Sequence, residues 1–217
     1  MGILFQKQIK INQNSQLFIR FDDNTKPSIK TMLEINFHPF QNLETERLLL
    51  RRVAKTDVNE ILELRGNPET MKYIPRPLAT TKDEALAHIK MINDKIEANE
   101  GINWAITIKG NPKLIGVIGH YRIQPENHRC EIGYMILPQY NGKGYVTEAI
   151  KVVLAYGFEV LQMHSIEAVI DPDNIASERV LQKNGFVKEA HILENEFWDG
   201  KFWYTVIYSI LKRNFKK

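Results

Sequence analysis

Between Arg47 and Val53 the chain alternates, with Leu48 and Leu50 facing one way and Leu49 and Arg51 the other, which is the period-two pattern of a strand. The period then lengthens. Val58, Ile61, Leu62 and Arg65 share one side of a helix that Thr56 is positioned to cap and that Gly66-Asn67-Pro68 ends. Thr81 and Glu84 have capping-box spacing ahead of a second helix whose stripe is Ala85, Ile89, Ile92 and Ile96. A proline-stiffened loop, Tyr73-Ile-Pro-Arg-Pro77, lies between the two helices. Three strands follow, Asn103 to Ile108, Leu114 to Ile123 and Arg129 to Leu137, divided by Gly110-Asn-Pro112 and Pro125-Glu-Asn127. Connections this short predict an antiparallel meander.

Helical spacing returns with Val146, Ala149, Ile150, Val153, Leu154 and Gly157, and Ile166 to Ile170 then reads as a buried strand. Asn174 starts another helix, which Gly185 ends as a left-handed cap. Strands Phe186 to Ile192 and Phe202 to Leu211 close the chain, with Trp198-Asp-Gly200 near their turn. The predicted fold class is therefore mixed α/β, with a mostly antiparallel central sheet flanked by helices.

Residues 1–31 differ from this. Ile9, Ile11, Leu17, Ile19 and Phe21 alternate around Asn12-Gln-Asn-Ser15, which predicts a small hairpin that would be marginal by itself. The expected organisation is an extension over residues 1–41, disordered or hairpin, and one domain over 42–217. A chain of 217 residues with 43% hydrophobic content can bury one sizeable core. Its net charge of +3 is too mild to imply nucleic-acid binding. The single cysteine, Cys130, excludes an intramolecular disulfide framework, and no cleavable apolar leader or membrane-length run is visible, so a cytoplasmic setting without membrane partners is expected. The six histidines lack metal-ligand spacing, and no metal is expected.

The stretch richest in chemistry is Gln139 to Tyr145, Gln-Tyr-Asn-Gly-Lys-Gly-Tyr, which joins a strand to a helix. Gly142 and Gly144 permit a tight turn and close approach of a ligand to the backbone, and the helix start offers unpaired N–H groups to a phosphate. Lys143 adds a positive charge. A dinucleotide fingerprint would need a glycine where Thr147 stands, and no Walker loop is present.

Strand, Gln-x-x-Gly-x-Gly, helix, strand, then Asn174-Ile-Ala-Ser177 leading to Asn184-Gly185-Phe186 resembles the GNAT superfamily of acyl-CoA-dependent N-acetyltransferases. The likeness spans Asn42 to Phe215 and is greatest to the Rim-type (RimJ/RimL) branch, which acetylates N-terminal amines of ribosomal proteins. The resemblance implies a GNAT fold with acetyl-CoA as co-substrate. Its pyrophosphate would be held by the amides of Gly142, Lys143, Gly144 and Tyr145, with Gln139 at the loop entrance. Met135, Ile136 and Leu137 would pair with the pantetheine arm where the family splays this strand from the next. Asn174 matches the family's CoA-contacting asparagine and equally suits an ordinary N-cap.

Many members carry a tyrosine seven residues after that asparagine to protonate the leaving thiolate; here Leu181 stands there. The Rim-type pattern instead implies Ser177 as proton donor and Glu196 as the base for the amine. Glu131 is the rival base, sharing a strand face with Gly133, Met135 and Leu137 while Cys130, Ile132, Tyr134 and Ile136 occupy the other. Cys130 reads as a buried core thiol. Trp104, Phe197, Trp198, Phe202 and Trp203 are candidates for an acceptor pocket or for core. The resulting expectation is an N-acetyltransferase using direct attack in a ternary complex. The acceptor is a protein N-terminus or a small molecule such as an amino acid, polyamine or aminoglycoside. A non-catalytic acyl-CoA sensor and a longer-chain acyltransferase are the alternatives, and monomer and homodimer both stay open.

Overall fold

The computed structural model describes residues 32–216 together with two short strands, Ile19–Arg20 (β1) and Ser28–Ile29 (β2). The chain divides into two units, Met1–Met32 and Leu33–Lys217. In the first, β1 and β2 pair antiparallel, with Ile19 opposite Ile29. The expected hairpin turn at Asn12 to Ser15, with Ile9 and Ile11, lies outside the described residues.

The second unit is built on an eight-stranded sheet in the order β3-β4-β5-β6-β7-β8-β10-β9. Its strands are β3 (Leu43–Glu44), β4 (Leu48–Arg52), β5 (Ile102–Ile108), β6 (Leu114–Gln124), β7 (Arg129–Ile136), β8 (Ser165–Ile170), β9 (Val187–Trp198) and β10 (Lys201–Leu211). All neighbours are antiparallel except β7 and β8, which the glycine loop and helix α4 (Tyr145–Ala155) connect as a crossover. The other helices are α1 (Val58–Gly66), α2 (Pro68–Met71), α3 (Lys82–Glu97) and α5 (Ile175–Lys183).

The capping box forms as its spacing predicts. The Thr81 hydroxyl accepts from the Glu84 amide at 3.2 Å, and the Glu84 carboxylate accepts from the Thr81 amide at 3.1 Å. Thr56 does not cap α1. Asp57 occupies that end, and its carboxylate instead accepts from the Ala54 amide and from Arg51, at 2.8 and 2.6 Å to the guanidinium. Asn67 ends α1 and also caps α2, a four-residue helix with Pro68 at its first position. Strand β9 runs six residues beyond its expected end, because the Asp199-Gly200 turn, with φ of 49° and 73°, pairs it with β10 up to Trp198 opposite Lys201.

Adjacent residues of β6 define the two faces of the sheet. His120 points to the α4 side, where its Nε2 lies 3.0 Å from the Val153 carbonyl and its Nδ1 3.4 Å from Cys130 Sγ. Burial holds the His120 imidazole down at about 4, so the ring is neutral, and pushes the Cys130 thiol up, so the sulfur is an inert core atom. Gly157 lets the turn after α4 close onto this cluster, since a Cβ there would meet Ile166 Cδ1 at 2.6 Å. Trp104 is wholly buried beside His120 and donates its indole N–H to the Gln41 carbonyl at 2.8 Å; it is core and lines no acceptor pocket. Tyr121 points the opposite way, and its hydroxyl donates to Asn103 on the α1 side.

Candidate active site

The parallel pairing of β7 with β8 is short. Arg129, Cys130 and Glu131 lie opposite Ser165, Ile166 and Glu167, and beyond Glu131 the strands part. β8 continues against β10 and β7 against β6, leaving a wedge between them. On β7 the Leu137 amide donates to the Ile115 carbonyl at 2.9 Å, and Met135 lies opposite Val117. Antiparallel alternation therefore directs the peptide groups of Met135 and Leu137 at β6 and those of Tyr134 and Ile136 into the wedge. Of the three residues expected to meet a pantetheine arm, Ile136 presents its backbone and the other two do not.

At the open end of the wedge, β7 runs through Pro138–Tyr140 into the glycine loop. Gly142 and Gly144 hold φ of 73° and 79°, a left-handed conformation suited to glycine, and Gly144 is the N-cap of α4 with no side chain occupying the free amides. Gln139 is turned away, its amide nitrogen donating to Glu63 of α1 at 2.9 Å. Lys143 Nζ stands 5.2 Å over the Tyr140 ring.

A clamp braces this loop from behind. Arg47 donates Nη1 to the Lys143 carbonyl at 3.1 Å and Nε to Glu148 at 2.6 Å, with its guanidinium 4.8 Å over the Tyr145 ring. Glu148 also accepts from the Arg47 amide at 3.0 Å and from the Thr45 hydroxyl. Burial pushes the Glu148 carboxyl up, but these donors and the Arg47 charge together outweigh it and hold it below its ordinary value. A depressed folded pKa adds stability that is present above the unfolded value and lost as pH falls through the folded one. Glu148→Gln is thus expected to cost about 1 kcal/mol at neutral pH. The gap from the parent should close as acidification protonates the parent's carboxylate, which melting curves against pH will check. A gap independent of pH would mean that Glu148 serves by packing alone. Neither Arg47 nor Glu148 carries a local motif; the pairing spans about a hundred residues and becomes visible only once β4 lies beside α4.

The other wall of the wedge is the first turn of α5. Asn174 is its N-cap, its Oδ1 accepting from the Ser177 amide at 3.1 Å, which leaves its side-chain amide nitrogen to meet a ligand. Ser177 sits half-buried at the third helical position. Tyr134 reaches across from β7, its hydroxyl 3.5 Å from the Ser177 carbonyl, so the serine lies beside the parted segment of β7. Burial pushes the Tyr134 phenol up to about 12, offset in part by that contact, and it remains a protonated hydrogen-bond donor at any working pH. Leu181 is wholly buried.

The two carboxylates occupy different places. Glu131 stands at the closed end of the wedge, beside Glu167. Its carboxylate is 2.8 Å from Arg122 Nη1, and burial raises its pKa, with Arg122 opposing and Glu167 reinforcing the shift. Glu196 lies near the end of β9, opposite Trp203, and pairs with Arg76 of the 72–81 loop at 3.1 Å. Trp203 is three residues before Val206, the partner of Ile170 at the end of β8, so Glu196 lies beyond the end of β8 from which the chain enters α5. Beside it a cavity of about 310 Å³ is lined by Arg76, Trp198 and Trp203 among others. Phe197 and Phe202 pack with tilted rings, centroids 5.0 Å apart, and are exposed on the hairpin. Among the described residues no group of three or more His, Cys, Asp or Glu side chains is placed to hold a metal, and no helix is long and apolar enough to cross a membrane.

Comparison with known proteins gives a consistent result. A family model described as an acetyltransferase (GNAT) domain matches residues 47–187. The uncharacterized N-acetyltransferase YoaA of Bacillus subtilis is 34% identical over 173 residues, covering 80% of this chain and 98% of that protein. Among solved structures, spermidine N-acetyltransferase from Vibrio cholerae in complex with CoA and spermine superposes with a TM-score of 0.69 at 25% identity, over 78% of this chain and 98% of that one. RimL, a ribosomal L7/L12 α-N-protein acetyltransferase in complex with CoA, shares the fold with a TM-score of 0.72 at 18% identity, over 79% and 98% of the two chains.

Proposed function

The chain belongs to the GNAT acetyltransferase family, and from that premise we propose that it moves the acetyl group of acetyl-CoA to a primary amine by direct attack in a ternary complex. The observation that carries this reading is the parting of β7 from β8 ahead of a glycine-bounded helix start. One flat slot offers outward amides to a pantetheine arm, and its open end offers the unfilled N–H groups of Gly142 to Tyr145 to a pyrophosphate. The residues present fit an acyl-CoA.

The amine nitrogen attacks the thioester carbonyl carbon and forms the C–N bond. The ammonium gives up one proton before attack; the oxyanion then collapses, the C–S bond breaks, a second proton leaves nitrogen and one reaches sulfur. In this proposal Glu196 accepts the first, directly or through water, and Ser177 supplies the one that reaches sulfur, from the turn of α5 beside β7. Tyr134, protonated and anchored at the same turn, would have to turn its one O–H from the Ser177 carbonyl to meet charge developing on oxygen or sulfur. Glu131 is the competing base, since a buried carboxyl with a raised pKa is tuned toward proton abstraction. A relative named as a spermidine N(1)-acetyltransferase supports an amine as the acceptor, and the proposed setting is cytoplasmic.

A thiol-release assay across acyl-CoAs of increasing chain length and a panel of amines tests this. Acetyl-CoA is expected to be the best donor. CoA binding without release of thiol for any amine would move the chain to the sensor reading, which the replacement of the usual tyrosine by Leu181 would then explain.

We also propose that residues 1–31 are dispensable, because the capping and periodicity signals of the domain all start after Met32. Truncation is expected to leave CoA affinity unchanged and to move the melting temperature by less than about 2 °C, the low end of the shift that a 1 kcal/mol contact would give in a chain of this size. A larger drop would mean that Ile9, Ile11, Leu17 and Ile19 pack on the domain.

A further inference from the structure

We infer that the acceptor is a monoamine on an apolar, preferably aromatic, body, which enters the cavity between the 72–81 loop and the β9–β10 hairpin. The inference rests on the acetyltransferase reading and narrows its second substrate. The cavity, about 310 Å³, lies at the small end of ligand cavities, roughly 300–1,000 Å³, and suits one ring-bearing group. Met71, Ile74 and Leu78 form one wall and Trp198 and Trp203 the other.

Charge at the lining argues against a polycation. Arg76 and Lys201 stand there against Asp199, with Lys201 Nζ 4.7 Å over the Trp203 ring. A second ammonium would meet two cations and one anion, with Glu196 already engaged by the first ammonium and Arg76 released from it.

The cavity abuts the proposed base. Glu196 lies opposite Trp203 in the β9–β10 register and two residues before Trp198, so all three share a sheet face. Arg76 belongs to both features, lining the cavity and holding the Glu196 carboxylate. Both partners are over two-fifths exposed, and an ion pair of that kind is easily exchanged. An arriving ammonium replaces the guanidinium at Glu196 while its body fills the space between the tryptophans.

The experiment uses the full chain with saturating acetyl-CoA and compares 2-phenylethylamine, a peptide beginning with phenylalanine, and spermidine. An aromatic acceptor is expected to exceed spermidine in kcat/KM by ~10-fold or more, the discrimination an apolar pocket supplies. Preference for the free amine or for the peptide separates a metabolite from a protein N-terminus. Trp203→Ala should remove that advantage through KM, leaving CoA affinity unchanged. Leu78→Trp, at a side chain already 41% exposed, should block the cavity without a hole in the core.

Calorimetric titration of phenylethylamine and spermidine into the CoA-loaded protein reads the same preference without turnover. If no amine is acetylated but phenylethylamine binds and Leu78→Trp abolishes it, the cavity assignment stands and the transferase reading falls. Spermidine preferred by the parent protein, or equal losses for all acceptors in both variants, overturns the inference.

Discussion

Gly144→Asp is expected to weaken CoA binding by about 10²-fold, measured by calorimetry on protein shown to be folded. Two effects act, and they fall on different observables. The φ of 79° costs a residue with a Cβ about 1–2 kcal/mol, and this cost falls on folding. A carboxylate added among the amides proposed to hold the pyrophosphate would repel it by about 1–4 kcal/mol at surface-like dielectric, and this cost falls on binding. A loss near the middle of that range is ~10²-fold in Kd. Sterics inside the protein contribute little, since a Cβ at Gly144 meets only Arg47 Nη2 at 3.5 Å, an ordinary contact. Gly144→Ala separates the two effects: it should lower the melting temperature as much as the aspartate while leaving CoA affinity within a few-fold. Unchanged CoA affinity in folded Gly144→Asp would mean that the pyrophosphate binds elsewhere.

The strands, most helix limits and the glycine loop are readable in sequence because each depends on interactions within a few residues. Leu48 and Leu50 alternate into the core, Thr81 and Glu84 cap each other across one turn, and Gly185 takes a left-handed φ of 83° where α5 must stop. What is not readable depends on partners brought together from afar. Gln139, expected at the entrance of the glycine loop, donates its side-chain amide to Glu63 of α1, 76 positions away. Trp104 has the composition of a pocket lining, but β5 lies inside the sheet and the ring packs edge-on to Tyr156, so it is core. Helix α2 is too short to show periodicity, and its only signal, Asn67-Pro68, reads equally as the end of α1. The length of β9 was hidden by its residues, which are exposed or half-buried along the strand and do not alternate. Its extent follows from pairing with β10 through the Asp199-Gly200 turn. The Arg76–Glu196 pair, 120 positions apart, exists only because the 72–81 loop and the hairpin meet in space.

Ser177→Ala and Glu196→Gln are each expected to lower kcat by roughly 10²-fold or more while CoA affinity stays within a few-fold, because proton transfers belong to the transition state and not to cofactor binding. The rival assignment is tested alongside them. Glu131→Gln should fold well: burial raises the carboxyl's pKa, so its charged form is the costly one, and stability falls as pH rises from the unfolded value through the raised one. Replacing it by an amide removes that cost at neutral pH, and Arg122, left without its partner, is 65% exposed and solvated. A loss of activity in Glu131→Gln would therefore be chemical and not a symptom of unfolding. The pH profiles then divide the candidates. A base at Glu131 would place the acidic limb of kcat/KM higher than a free carboxylate would, and Glu131→Gln would abolish that limb. If Glu196→Gln keeps full activity while Glu131→Gln loses it, the base belongs at the closed end of the wedge and the Arg76–Glu196 pair is a structural tie. If neither substitution matters, water must relay the amine proton to bulk solvent, or the acceptor binds already neutral. In the latter case kcat/KM should rise with pH until it tracks the amine's own pKa.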